Sequence, residues 1–116
     1  MNTPNRINYV EFQAPDLDVI TGFYTRVFGW EFTDYGPEYV AFTDGAFEGG
    51  FMKGNQTGSH FPLVILYSNT LEDMLGRIES HGGKILKPIY TFPGGRRFHF
   101  SDPAGNELGV WSDILV

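Results

Sequence analysis

"DLDVITGFYTRVFGW", residues 16–30, is the stretch on which the reading of the fold turns. Leu17, Ile20, Phe23, Tyr24, Val27 and Phe28 recur at spacings of three and four, which puts them on one face of a helix. Pro15-Asp16 breaks what precedes it, and the Asp16 carboxylate can take the first unpaired amides of the helix. Gly29 ends it, as a residue able to adopt a left-handed conformation does. Upstream, "INYVEFQA" (7–14) alternates as a strand, with Tyr9, Glu11 and Gln13 on one face and Val10, Phe12 and Ala14 on the other. Downstream, three short strands fit Trp30–Tyr35, Tyr39–Thr43 and Phe47–Lys53, separated by turns at Gly36-Pro37 and Asp44-Gly45.

The same order is then written again. "PLVILYS" (62–68) reads as a strand, and Thr70-Leu71-Glu72-Asp73 has the pattern of a capping box. Leu71, Met74, Leu75 and Ile78 form an apolar helix face that ends at Gly82-Gly83. Strands fit Lys84–Phe92, Arg96–Ser101 and Glu107–Ser112. Asp16 to Asn69 is a step of 53 residues, and so is Gly29 to Gly82. The chain therefore reads as one domain (1–116) of two β-α-β-β-β modules, about 5–53 and about 61–113. The polar stretch "GNQTGSH" (54–60) joins them. Each helix covers one face of its sheet, so the other faces need burial. The expected fold class is α+β, with curved mixed sheets around a cavity and the helices outside.

Composition narrows the function. Hydrophobic residues make up 41% of the 116, and eleven Phe, six Tyr and two Trp suit both packed sheets and an aromatic-lined cavity. The absence of cysteine excludes disulfides, thiolate metal sites and cysteine nucleophiles. Eight Lys plus Arg against fourteen Asp plus Glu, a net charge of −6, disfavours a nucleic-acid binder. The opening "MNTPNR" is polar and no apolar run reaches membrane length, so a cytoplasmic protein with no membrane partner is expected.

Three stretches carry a family resemblance: "APDLDVITGFYTRVFGWEF" (14–32), "ESHGGKILKP" (79–88) and "FSDPAGNELGVW" (100–111). Together they resemble the vicinal-oxygen-chelate superfamily of glyoxalase I, bleomycin-resistance proteins and extradiol dioxygenases. "GGFM" (49–52) and "LGVW" (108–111) resemble its glyoxalase-like branch. The resemblance implies four strand positions for His, Gln or Glu ligands to a divalent metal, which would polarise vicinal substrate oxygens. In this sequence those positions fall on Tyr9 in the first strand, Pro62 in the fifth and Gly109 in the last; the fourth strand offers Glu48. One carboxylate and one phenol do not hold a divalent ion, so no metal and no cofactor are expected.

Of the three histidines, His60 lies in the linker and His81 at a helix end, where it complements the dipole. His99 alternates with Phe98 and Phe100 in a strand, and a hydrogen-bonded role fits it better than metal or acid–base chemistry. Gly94-Gly95-Arg96-Arg97 lacks the strand-loop-helix setting of a phosphate loop and reads as a hairpin turn.

Alternation places Tyr9, Glu11 and Gln13, Val64 and Leu66, and Glu107 and Trp111 on the helix-free faces, with Met52 or Phe51 joining according to register. The ligand-binding set expected is Tyr9, Glu11, Gln13, Met52, Leu66, Glu107 and Trp111. Beside Trp111, planar or cationic groups are favoured, with Glu11 as an anchor or general base. The function expected is a metal-free, glyoxalase/bleomycin-resistance-like binder of a small organic molecule, assembled as a homodimer. The alternatives are a lyase, isomerase or dioxygenase using a divalent metal or acid–base residues, and an accessory subunit whose sheet edges serve assembly.

Overall fold

The computed structural model describes residues 2–55 and 61–115. His60 and most of the joining stretch lie outside them. The element order is β1 (Ile7–Ala14), α1 (Leu17–Phe28), β2 (Glu31–Asp34), β3 (Tyr39–Thr43), β4 (Glu48–Lys53), β5 (Leu63–Tyr67), α2 (Leu71–Ser80), β6 (Lys84–Phe92), β7 (Gly95–Ser101) and β8 (Glu107–Ser112). This is the α+β, twice-written β-α-β-β-β order that the sequence predicts. Its two compact units divide differently from the modules: residues 9–63 form one, and residues 1–8 with 64–116 form the other.

In the unit of residues 9–63 the strands lie in the order β2-β3-β4-β1, with β1 parallel to β4 and the other pairs antiparallel. Asp16 caps α1 through one side-chain oxygen, which accepts from Asp18 N (3.1 Å) and Val19 N (3.2 Å). Gly29 closes it at φ 75°, a conformation that costs a side-chain-bearing residue 1 kcal/mol or so. Between helix and sheet are Ala14, Leu17, Val40, Phe42 and Phe51, with Phe12, Ile20, Tyr24, Trp30 and Phe32 packed against them. Trp30 stacks between Tyr24 (4.5 Å) and Phe42 (4.4 Å). Six aromatic rings of this half thus belong to its core, while Phe23, Phe28 and Tyr35 are exposed. Asp16→Ala should cost about 1 kcal/mol of stability by urea titration, the usual worth of an N-cap; an unchanged midpoint would show the cap to be idle.

In the other unit the order is β5-β8-β7-β6, again with one parallel pair, β5–β8. Leu71, Phe98 and Val110 are its buried centre, and Met74, Leu75, Ile78, Ile85, Ile89 and Phe100 surround them. The loop entering β8 is held by Asp102, whose Oδ1 accepts from Ala104 N and Asn106 N, both at 2.9 Å.

One register differs from the sequence reading. Helix α2 begins after Thr70, where the capping pattern places it, so the helix starts, Leu17 and Leu71, are 54 residues apart and the 53-residue step to Asn69 does not carry the register of β5. Thr70 makes no side-chain cap bond; Ser68 Oγ instead accepts the Thr70 N–H at 3.1 Å. Because a strand alternates faces at every residue, a slip of one inverts β5. Val64 and Leu66 pair with Leu108 and Val110 on the helix side, while Ile65 and Tyr67 pair with Gly109 and Trp111 on the helix-free side. Leu66 thus lines an apolar cavity of about 230 Å³ with Met74, Ile78, Phe100 and Val110, not the helix-free face.

Candidate functional site

Each unit carries a polar cluster on its helix-free face. In residues 9–63, Tyr9, Glu11 and Gln13 share that face of β1 as expected. The register of β4 is settled by pairing: Met52 lies beside Gln13 and Phe51 beside Phe12, so Met52 is on the polar face and Phe51 is core. Gln13 Nε2 donates to Met52 Sδ at 3.9 Å. Tyr39, which the sequence reading passed over, is the hub. Its hydroxyl lies 2.6 Å from that of Tyr9 and donates to Glu11 Oε2 at 3.1 Å. Burial first, then the nearby Glu11 and Tyr9, holds the Tyr39 hydroxyl protonated far above the ordinary phenol range. Glu11 is only 3% exposed, so this bond is part of what makes a buried carboxyl tolerable.

The second cluster crosses three neighbouring strands. Arg97 and His99 on β7 share a face with Glu107 and Trp111 on β8. Two register shifts in β6, between Ile85 and Lys87 and between Lys87 and Tyr90, set Lys87 opposite His99 and Tyr90 opposite Arg97. Pro88, which has no N–H to offer a ladder, sits between them. His99 is 5% exposed. Its Nε2 accepts from Arg97 Nε at 3.3 Å and lies 3.2 Å from the Tyr90 hydroxyl. An arginine only donates, so Nε2 is the acceptor nitrogen and Nδ1 carries the proton, which it gives to Glu107 Oε2 at 2.9 Å. The Arg97 guanidinium lies 5.7 Å from the Tyr90 ring centre and 6.0 Å from that of Phe92, with Lys87 Nζ 5.5 Å from Tyr90. Trp111 donates its indole N–H to Asn8 Oδ1 at 3.0 Å and packs against Tyr67 and Phe92.

The hydrogen bond to Glu107 favours charged His99, but burial outweighs it, and Arg97 and Lys87 add repulsion; the pKa falls below the ordinary 6.5. The unfolded chain then binds this proton at a higher pH than the folded one. His99's contribution is therefore complete above about 6.5 and is lost as pH falls toward the folded value. Native protein should lose stability over that window relative to His99→Gln. Parallel curves of melting temperature against pH for the two proteins would refute it.

A family model described as "Glyoxalase/Bleomycin resistance protein/Dioxygenase superfamily" matches residues 6–110. The chain belongs to this superfamily. Solved structures with the same fold include the Mn(II)-bound glyoxalase from Novosphingobium aromaticivorans, at TM-score 0.72 and 21% identity. That match covers 99% of this chain and 41% of the glyoxalase, so the chain spans less than half of that relative. A glyoxalase/bleomycin resistance protein/dioxygenase superfamily member from Vibrio splendidus 12B01 has TM-score 0.71 and 16% identity over 92% of this chain and 97% of its own. Methylmalonyl-CoA epimerase from Mycobacterium tuberculosis has TM-score 0.72 and 11% identity, over 97% and 90%. No curated protein matches the sequence.

Within the superfamily fold, the side chains at the expected metal positions do not make a ligand set. The Tyr9 hydroxyl is bonded to Tyr39. The inverted β5 moves its position from Pro62 to Leu63, and neither side chain is a ligand. Gly109 stands between Ile65 and His99 with no side chain to contribute. Glu48 is exposed at the first residue of β4. Among the described residues no three His, Asp or Glu side chains converge. Tyr39, Tyr90, Arg97 and His99 are the site residues that the sequence reading left out. The signal for two of them was present, since Arg97 and His99 alternate with Phe98 and Phe100.

Proposed function

We propose that this glyoxalase-superfamily chain binds a small, planar organic molecule through the helix-free face of β6, β7 and β8, without a metal. The observation that carries the reading is the buried His99, fixed between Glu107 and Arg97 and beside Tyr90, with Phe92 and Trp111 packed on each other next to Arg97. Aromatic walls with a few oriented polar atoms are what small-molecule sites are made of. The expectation of a cation over Trp111 gives way to a different preference. Arg97 and Lys87 already stand near the Tyr90 and Phe92 rings, so this face favours a ligand presenting acceptor atoms.

A ligand panel read by Trp111 fluorescence in a Trp30→Phe background tests this. Hits should lose at least about tenfold in affinity, ~1.4 kcal/mol, in Trp111→Ala or Arg97→Ala measured by calorimetry. Hits that bind both variants as well as the parent would move the site elsewhere. We also propose that two copies assemble, because among the described residues β2 pairs with β3 alone and β6 with β7 alone. Light scattering that returns the mass of one chain at micromolar concentration would remove the dimer.

A further inference from the structure

Tyr90, His99 and Glu107 stand in series on β6, β7 and β8, three strands that are neighbours in the sheet. The steps are 3.2 Å from the Tyr90 hydroxyl to His99 Nε2 and 2.9 Å from His99 Nδ1 to Glu107 Oε2. Because Nδ1–H is committed to Glu107, the lone pair on Nε2 points away from it, to the Tyr90 hydroxyl and Arg97. A proton leaving Tyr90 thus has an acceptor 3.2 Å away once Arg97, whose Nη2 and Nε stand 3.1 and 3.3 Å from Nε2, yields its hold on that nitrogen. The imidazolium so formed is opposed by Arg97 and Lys87 and supported by Glu107 beside it. Two cations, Arg97 and Lys87, lie within 6 Å of the Tyr90 ring centre and favour negative charge there. Tyr90 is half-buried, so part of its side chain is open to a molecule on this face.

We propose that Glu107, His99 and Tyr90 form a metal-independent proton relay, with the Tyr90 hydroxyl as the general base and acid toward a planar carbon acid. The proposal rests on the ligand site described above and adds a reaction to it. In the forward step the ligand's C–H bond breaks and its proton forms a new bond to Tyr90 Oη. The proton Tyr90 held moves to His99 Nε2. The C–H electron pair stays with the ligand, either delocalised beside Arg97 or used to expel a leaving atom. No electron is gained or lost overall, and no oxidant or reductant is needed. Tyr90 is the catalytic residue; His99 and Glu107 are positioning residues that act through it.

The probe is 5-nitrobenzisoxazole, a planar carbon acid. Removal of its ring C–H proton forms a nitrile, breaks the N–O bond and releases a coloured phenolate. The intact protein should accelerate this reaction over buffer, and Tyr90→Phe should lose about 100-fold or more of the acceleration, the usual worth of a positioned base. Because His99 must be neutral to accept the proton, the rate should fall on the acid side. That limb should vanish in His99→Gln and move in Glu107→Gln, which a purely structural role would not produce. Binding of the same probe is followed by Trp111 fluorescence in the Trp30→Phe background. Binding with an unchanged rate in Tyr90→Phe overturns the relay and leaves the binding site standing. Neither binding nor acceleration overturns both.

Discussion

Phe98→Ala is expected to remove about 3–5 kcal/mol of unfolding free energy, read as a shift in the urea midpoint at constant slope. Phe98 has no exposed surface and packs with Leu71 and Val110 where α2 meets β7 and β8. Truncation forfeits the transfer energy of the ring and leaves a void lined by Met74, Ile85 and Phe100, side chains held by a helix and a sheet that cannot both collapse inward. Against a typical total of 5–15 kcal/mol, that is a large share. Phe98→Leu should recover much of it, since most of the volume returns. The consequence reaches the site, because Arg97 and His99 flank Phe98 on the same strand and point the other way. A loss under about 1.5 kcal/mol for Phe98→Ala would mean that this centre is not close-packed.

The fold was legible because its signals agreed across levels: apolar helical periodicity written twice in one order, Asp16 and Gly29 at the ends of the first helix, and glycine-bearing turns between the short strands. Strand faces were legible wherever a polar-apolar alternation existed. β1 and β8 alternate, and Glu11 and Trp111 fell on the faces expected of them. β5 does not. "LVILY" is apolar on both sides, so nothing within it fixes its register, and a 53-residue step that ends on Asn69 rather than Thr70 inverts it. Leu66 went to the wrong face for that reason alone.

The candidate site was less legible, because it depends on long-range pairing. Lys87 and Tyr90 reach the face of His99 only through irregularities in β6, and no local pattern announces where a strand slips. Tyr39 lies 28 residues from Glu11, and only the β1–β4–β3 pairing brings them together. His99 was visible but reads alone as a satisfied histidine; its partners on three strands are what fix its tautomer.

The pair Gly49-Gly50 in β4 separates stability from the polar cluster, and Gly49→Ala should be the more damaging change. A methyl at Gly49 would collide with the Val10 carbonyl oxygen and come within 2.5 Å of Phe42 Cζ. Val10 and Phe42 are its partners on the two adjoining strands, so relief requires moving a ladder and the core ring together. Losing glycine's extra freedom in the unfolded chain returns at most about 1 kcal/mol, while forced overpacking costs about 3 kcal/mol or more when backbone must move. The net loss should therefore be at least about 2 kcal/mol. At Gly50 the methyl meets side-chain ends instead: the Tyr39 hydroxyl, and the Tyr9 hydroxyl at 2.6 Å. Gly50→Ala should leave the core of Phe12, Phe42 and Phe51 in place but push both hydroxyls aside, taking from buried Glu11 the donor that Tyr39 supplies. Losing that donor costs about 1–3 kcal/mol, offset in part by the same unfolded-state gain. Near-ultraviolet circular dichroism should show the tyrosine environment altered in Gly50→Ala, while urea titration shows the larger loss in Gly49→Ala. The reverse ranking would mean that β4 bends away from β1 more easily than two phenols can turn.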